Sequence, residues 1–143
     1  MMRQTMRSAA VAAVIFAAGF VARDFVSLPV AGAQARDKVF ELRTYTAPEG
    51  KLPDLQARFR NHTMRIFQKH GMSNVGYWVP QDTPNTLIYI ISHTNREQAK
   101  QNWAAFQKDP EWQKVAQESQ VNGKIVARVE SVFMDAADYS PIK

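Results

Sequence analysis

Residues 86–92 read Thr86-Leu87-Ile88-Tyr89-Ile90-Ile91-Ser92, and the distribution of apolar side chains along this run decides the fold. The run is rich in β-branched residues and is bounded by turn-forming ones, so it reads as a strand. Successive side chains of a strand point to opposite faces. Leu87, Tyr89 and Ile91 then share one face, Ile88 and Ile90 the other, and neither face is polar. The segment from Ile125 to Met134 behaves alike, setting Ile125, Ala127, Val129 and Phe133 against Val126, Val132 and Met134. A sheet made of such strands needs cover on both sides.

Upstream, Asn74 to Val79 is a further strand, joined to the first through Pro80 to Pro84 as a hairpin. Val39 to Tyr45 alternates Phe40, Leu42 and Thr44 with Glu41, Arg43 and Tyr45, which predicts the first strand. Pro48-Glu49-Gly50 supplies a turn, and a helical pattern then runs from Leu52 to His70, where Gly71 ends it. At about 100° per residue, Leu52, Leu55, Phe59, His62, Ile66 and His70 fall on one buried stripe, with Arg58, Arg65 and Lys69 beside it toward solvent. Downstream, Thr94-Asn95-Arg96-Glu97 has the form of a capping box ahead of Ala99, Asn102, Trp103 and Phe106 at helical spacing. Asp109-Pro110-Glu111-Trp112 places an N-cap before a proline at the first helical position and predicts a short third helix. Asn122-Gly123 turns the chain into the last strand, and Ala136 to Lys143 forms a tail.

The order is β, α, β, β, α with a short helix, then β. This is the ferredoxin-like α+β arrangement, with a four-stranded antiparallel sheet. Its helices cover one face only, while the strands are apolar on both. A second copy laying its sheet on the first supplies the missing cover through a symmetric contact, so the expected partner is the chain itself, as a homodimer.

The whole chain has 143 residues, 45% of them apolar and 22% charged, with no cysteine and a formal charge of +5. Such a composition excludes a disordered polymer, a collagen-like repeat and a disulfide-stapled miniprotein, and the lack of thiols excludes thiol catalysis and thiolate metal sites. Residues 1–35 stand apart: Arg3 and Arg7 precede an apolar run from Ala9 to Ala22, followed by Ala31-Gly32-Ala33 and Ala33-Gln34-Ala35. These are the parts of a signal peptide with cleavage near Ala33 or Ala35. As a helix the run rises only about 21 Å against a hydrocarbon core of about 30 Å. The expected product is an exported, periplasmic or secreted protein in which residues 36–143 form a single domain. Setting aside Arg3, Arg7, Arg23 and Asp24 lowers the charge to +3, which removes the case for a nucleic-acid partner.

Val39-Phe40-Glu41-Leu42-Arg43-Thr44-Tyr45 with Pro48-Glu49-Gly50-Lys51, then His62, Lys69-His70-Gly71, Val75-Gly76-Tyr77-Trp78 and Asp109-Pro110-Glu111-Trp112, resembles the NIPSNAP family in order and distance across residues 38 to 135. The resemblance implies a dimeric α/β barrel, two ferredoxin-like sheets packed together with helices outside. It implies little about activity. The animal members are associated with mitochondria and vesicle traffic, a setting from which a secretory leader departs.

Candidate chemistry begins with His62, whose place between Phe59 and Ile66 suits either a buried, hydrogen-bonded core histidine or a base facing a pocket. No catalytic residue is assigned beyond that candidate. His70 is expected to favour the carbonyl end of its helix, and His93 to be a loop residue. No metal is expected, since His62 and His70 stand about 12 Å apart along a helix, and no cofactor is called for. Arg43, Tyr45, Trp78, Tyr89 and Arg128 are polar or amphipathic residues among apolar neighbours. Together with His62 they are the ligand-binding candidates, an arginine gripping a carboxylate and aromatic walls holding an apolar body. The competing arrangement is a layer in which Glu41, Arg43, Arg128 and Glu130 pair across strands inside the barrel. Arg58, Arg65 and Lys69 are most simply a solvated face, with weak contact to anionic lipid as the functional reading. Two functions are compatible with these residues. One is a non-catalytic homodimer that binds a small apolar or amphipathic ligand or a partner protein. The other is a cofactor-independent oxygenase or isomerase that uses His62.

Overall fold

The computed structural model describes residues 38–143, so the leader expected over residues 1–35 lies outside the described residues. Strand β1 (Val39–Thr46) leads into α1 (Leu52–Arg58), a π-helical segment (Phe59–Thr63) and α2 (Met64–Lys69). Next come β2 (Ser73–Trp78), β3 (Thr86–His93), α3 (Arg96–Lys108), α4 (Pro110–Glu118) and β4 (Arg128–Met134). The strands form one antiparallel sheet in the order β2-β3-β1-β4, with β3 and β1 in the centre. This is the ferredoxin-like topology that the alternation predicts.

Pleating decides which side chains meet the helices. Glu41, Arg43 and Tyr45 of β1 lie on the helix side, with Leu87, Tyr89, Ile91 and His93 of β3 across from them. Phe40, Leu42 and Thr44 face the other way, in register with Ser92, Ile90 and Ile88. Between the sheet and the helices, Leu55, Phe59, Ile66, Phe67, Tyr89, Ile91 and Phe106 form the core. Phe59 meets Phe67 and Tyr45 edge to face, at 6.1 and 5.7 Å between centroids, and lies tilted 5.0 Å from Tyr89.

Four expectations need correction. The first helix is not uniformly α: the Met64 N–H bonds to the Phe59 carbonyl, five residues back, and so closes a π-turn. The extra residue turns Thr63 inward, where it is buried, and leaves His62 exposed rather than on the buried stripe. Arg58 is buried rather than solvated, its guanidinium carbon 5.2 Å from the Trp112 ring centroid. The other two cations do not form a free basic face, because Arg65 pairs with Glu111, and Lys69 bonds to Asp109 at 2.7 Å. Finally, the four charges expected in one layer lie on opposite faces. Glu41 and Arg43 sit beneath the helices, whereas Arg128 and Glu130 pair in register with Thr46 and Thr44, whose parity is opposite.

Candidate functional site

The most enclosed charge in the described residues is the Glu41 carboxylate on β1, 1% exposed. Its position follows from register: it sits one parity step from His93 on β3 and faces α3. Arg43 Nη1 and Ser131 Oγ each donate to Glu41 Oε1 at 2.7 Å. Trp103 Nε1 donates to Oε2 at 2.7 Å, and His93 Nε2 does so at 3.1 Å. On the far side of the imidazole, Asn102 Nδ2 donates to His93 Nδ1 at 3.4 Å and to the Gly71 carbonyl at 3.1 Å. That network assigns the ring proton to Nε2. Burial alone would raise the Glu41 carboxyl, but the bonds from His93, Ser131, Trp103 and Arg43 outweigh it and hold the pKa at about 2.

Both nitrogens of His93 are thereby engaged, so the Glu41–His93 pair ties β1, β3, β4 and α3 together and offers no free lone pair for proton transfer. His93 is a core residue, not the loop histidine expected. His70 also differs from expectation, since its Nε2 reaches Asp109 Oδ2 at 2.6 Å instead of the helix carbonyls. Asp109 caps α4 through the Glu111 N–H at 2.8 Å and so anchors the end of α2 to the start of α4. Bonds from Lys69 and His70 hold its carboxyl well below the usual carboxylate range.

Of the six ligand-binding candidates, the structure brings three together. Arg43 is in register with Tyr89, its guanidinium lies 5.6 Å from the Tyr45 ring, and Tyr45 and Tyr89 meet at 5.3 Å. The guanidinium also stacks 4.3 Å from Trp103. Arg43 Nε and the Tyr89 hydroxyl are buried without a hydrogen-bond partner, and burial pushes the Tyr89 phenol up. The other three stand apart. His62 lies on the outer side of the first helical segment. Trp78 on edge strand β2 and Arg128 on edge strand β4 both belong to the open side of the sheet, with two strands between them. Trp78 folds its ring over Gly76, where any Cβ would collide with the indole.

Three of the concavities among the described residues bear on the candidate site. A groove of about 390 Å³ lies on the open side, where the C-terminal tail crosses the sheet; Phe40, Val75, Ile90 and Met134 form its floor, and Tyr139 and Ile142 belong to its wall. Lys38 Nζ holds the tail end by bonding to the Lys143 carbonyl at 3.3 Å. A second cavity, of about 320 Å³, lies between the first helical segment and the end of α4 and includes Arg58 and His62. A third, of about 220 Å³, opens beside Trp78, Tyr77 and Phe59. Sequence reasoning missed the first two. The tail carries little periodic signal, and Arg58 stands three residues from Leu55, at the margin of the apolar stripe, where spacing alone does not separate buried from solvated.

The family model described as NIPSNAP matches residues 40–141. Among solved structures, the fold superposes on a NIPSNAP family protein with unknown function from Agrobacterium tumefaciens with a TM-score of 0.67 at 21% identity, covering 76% of this chain and 96% of that one. An uncharacterized NIPSNAP-like domain protein from Burkholderia xenovorans gives 0.66 at 17% identity, with 74% and 90% covered. SnoaB, a cofactor-independent oxygenase from Streptomyces nogalater, gives 0.54 at 16% identity, with 73% and 98% covered. At such identities the likeness to these structures is one of fold. No curated protein matches the chain.

Proposed function

Because this chain belongs to the NIPSNAP family, we propose that it is an exported homodimer that binds a small apolar or amphipathic molecule without transforming it. The observation that carries this reading is the groove of about 390 Å³ between the open side of the sheet and the tail. Its floor is made of Phe40, Val75, Ile90 and Met134, a lining suited to an apolar body and of a size typical of small-molecule sites. The groove lies on the face that a second copy would cover, so dimerisation and ligand enclosure support one another. Export is carried by the leader's pattern of charge, apolar run and small residues.

Two measurements test the ligand. Native mass spectrometry of the protein purified from its own compartment is expected to show retained small molecules on a dimer. Titration with N-phenyl-1-naphthylamine is expected to give saturable, micromolar fluorescence enhancement that falls at least tenfold in a chain ending at Ala137, which lacks the tail wall. Equal enhancement in both chains would remove the groove from the proposal.

The oxygenase or isomerase reading would use His62. His62 is exposed at the rim of the cavity that includes Arg58, no ion pair to an acid is formed by it among the described residues, and the likeness to SnoaB is one of fold. The binding reading therefore stands ahead of it.

A further inference from the structure

A second site is marked by a charge that lacks a counter-charge. Arg58 is 7% exposed, its Nε is enclosed without a hydrogen-bond partner, and its guanidinium lies against the Trp112 ring. It also belongs to the wall of the cavity of about 320 Å³ between the first helical segment and the end of α4. Two carboxylates share that wall, and each is already paired with a nearby lysine: Asp54 with Lys51 at 3.3 Å and Glu118 with Lys114 at 3.8 Å. Among the described residues none lies within ion-pair distance of Arg58. Burial lowers its pKa, as expected of a cation taken out of water without compensation.

A buried guanidinium is costly unless an opposite charge is brought to it, and an aromatic face offsets only part of that cost. Here an open cavity stands where the opposite charge would be. We propose that Arg58 anchors a binding site for a small organic carboxylate in this cavity. The planar guanidinium matches a carboxylate in two parallel hydrogen bonds. A singly charged group fits better than a phosphate, because Arg58 is the one arginine or lysine among the residues lining this wall. Ala57, Val115 and Val121 offer apolar surface for a short body attached to the carboxylate. This site lies on the helix layer, away from the groove beneath the tail, so it stands or falls separately from the ligand proposed there.

Calorimetric and thermal-shift titrations with benzoate and butyrate, against inorganic phosphate and chloride, test the assignment on the intact protein. The wild type is expected to bind at least one of the two carboxylates saturably below about 10 mM and to melt at a higher temperature when it does so. Arg58→Met is expected to weaken that binding at least tenfold while melting, without ligand, no lower than the wild type, since it removes an uncompensated charge and keeps an apolar side chain of similar reach. Ala57→Phe narrows the cavity while retaining Arg58 in the chain, and it is expected to abolish binding too. Arg58→Met that binds benzoate and butyrate like the wild type overturns the proposal. So does an Arg58→Met that melts well below the wild type while Ala57→Phe still binds, because Arg58 would then be a structural residue. Tighter binding of phosphate than of either carboxylate overturns the assigned chemistry, and saturation by none of the probes overturns the site.

Discussion

Glu41 shows how a single residue can tie several elements of the fold together. Four donors from β1, β3, α3 and β4 converge on one buried carboxylate, two on each oxygen. Such a group stabilises the folded state only while it is ionised. Its folded pKa of about 2 lies below the ordinary carboxylate value, so the contribution is complete above that ordinary value and is lost as pH falls from about 5 toward 2; at neutral pH it is worth about 3 kcal/mol. Glu41→Gln keeps the shape but replaces one acceptor oxygen by a donor. It is expected to cost about 2–4 kcal/mol, lowering Tm by roughly 10–20 °C, and to flatten the loss of stability between pH 5 and 2. Denaturant melts of both proteins across that range check this, and an unchanged acid limb in the variant would show that other carboxylates set it. The centre of this network was half legible. Glu41 and Arg43 are visibly anomalous on an apolar strand, and Leu87, Tyr89 and Ile91 already define the buried parity of β3, on which His93 is the next member. Reading His93 as the end of the strand and not as its continuation concealed it. Trp103 and Asn102 were visible only as helix spacing, because pattern alone does not say that an indole or amide faces a carboxylate.

At the scale of elements, the boundaries set by side-chain chemistry were readable, while those set by hydrogen-bond slippage were not. Asp109 and Pro110 start α4 where expected. The start of α3 is displaced by one residue: Asn95, not Thr94, is the cap, its Oδ1 accepting the Gln98 N–H at 2.7 Å. Both residues are good caps by type, and both have a suitable residue three places on, Glu97 and Gln98, so the sequence motif is ambiguous by one step. The structure breaks the tie, and Asn95→Ala is expected to cost about 1 kcal/mol, whereas Thr94→Ala stays within about 0.5 kcal/mol. A larger loss for Thr94→Ala than for Asn95→Ala in equilibrium unfolding would place the cap at Thr94. The π-turn at Phe59–Thr63 is the other kind of boundary. A fixed angle per residue assumes one hydrogen-bond pattern throughout, and a single inserted residue rotates the remainder of the helix by about 100°. Leu55, Phe59 and Ile66 are buried in either case, while Thr63 takes the inward place expected of His62 and Phe67, which the stripe leaves out, joins the core. With His62 exposed, His62→Ala is expected to change stability by no more than about 0.5 kcal/mol. A loss of several kcal/mol, read from the same unfolding curves, would return it to the core.

The whole molecule presents a problem that a lone subunit does not resolve. One side of the sheet is closed by helices and contains the charged residues of β1. The other side carries the apolar ones and is open, with Trp78 50% and Val132 54% exposed and Leu42, Ile88 and Ile90 half-buried. The tail covers Phe40 at one end and leaves the rest uncovered. An exposed apolar face of this kind favours a covering partner, and the proposed homodimer would supply it by laying two such faces together. Val132 separates folding from assembly. It is on edge strand β4, pairs with Leu42, and points to the open side, so a charge there meets water in a separate subunit and an apolar partner in a dimer. Val132→Glu is therefore expected to leave the far-ultraviolet circular dichroism and the Glu41-dependent acid transition in place while halving the sedimenting mass at micromolar concentration. The wild type is expected to sediment at twice the mass of its chain. If the wild type sediments as a single chain at that concentration, the second copy must be replaced by another cover for the open side, and the groove beneath the tail loses its lid. If Val132→Glu stays dimeric, the two chains meet elsewhere, and Val132 remains a solvent-facing residue.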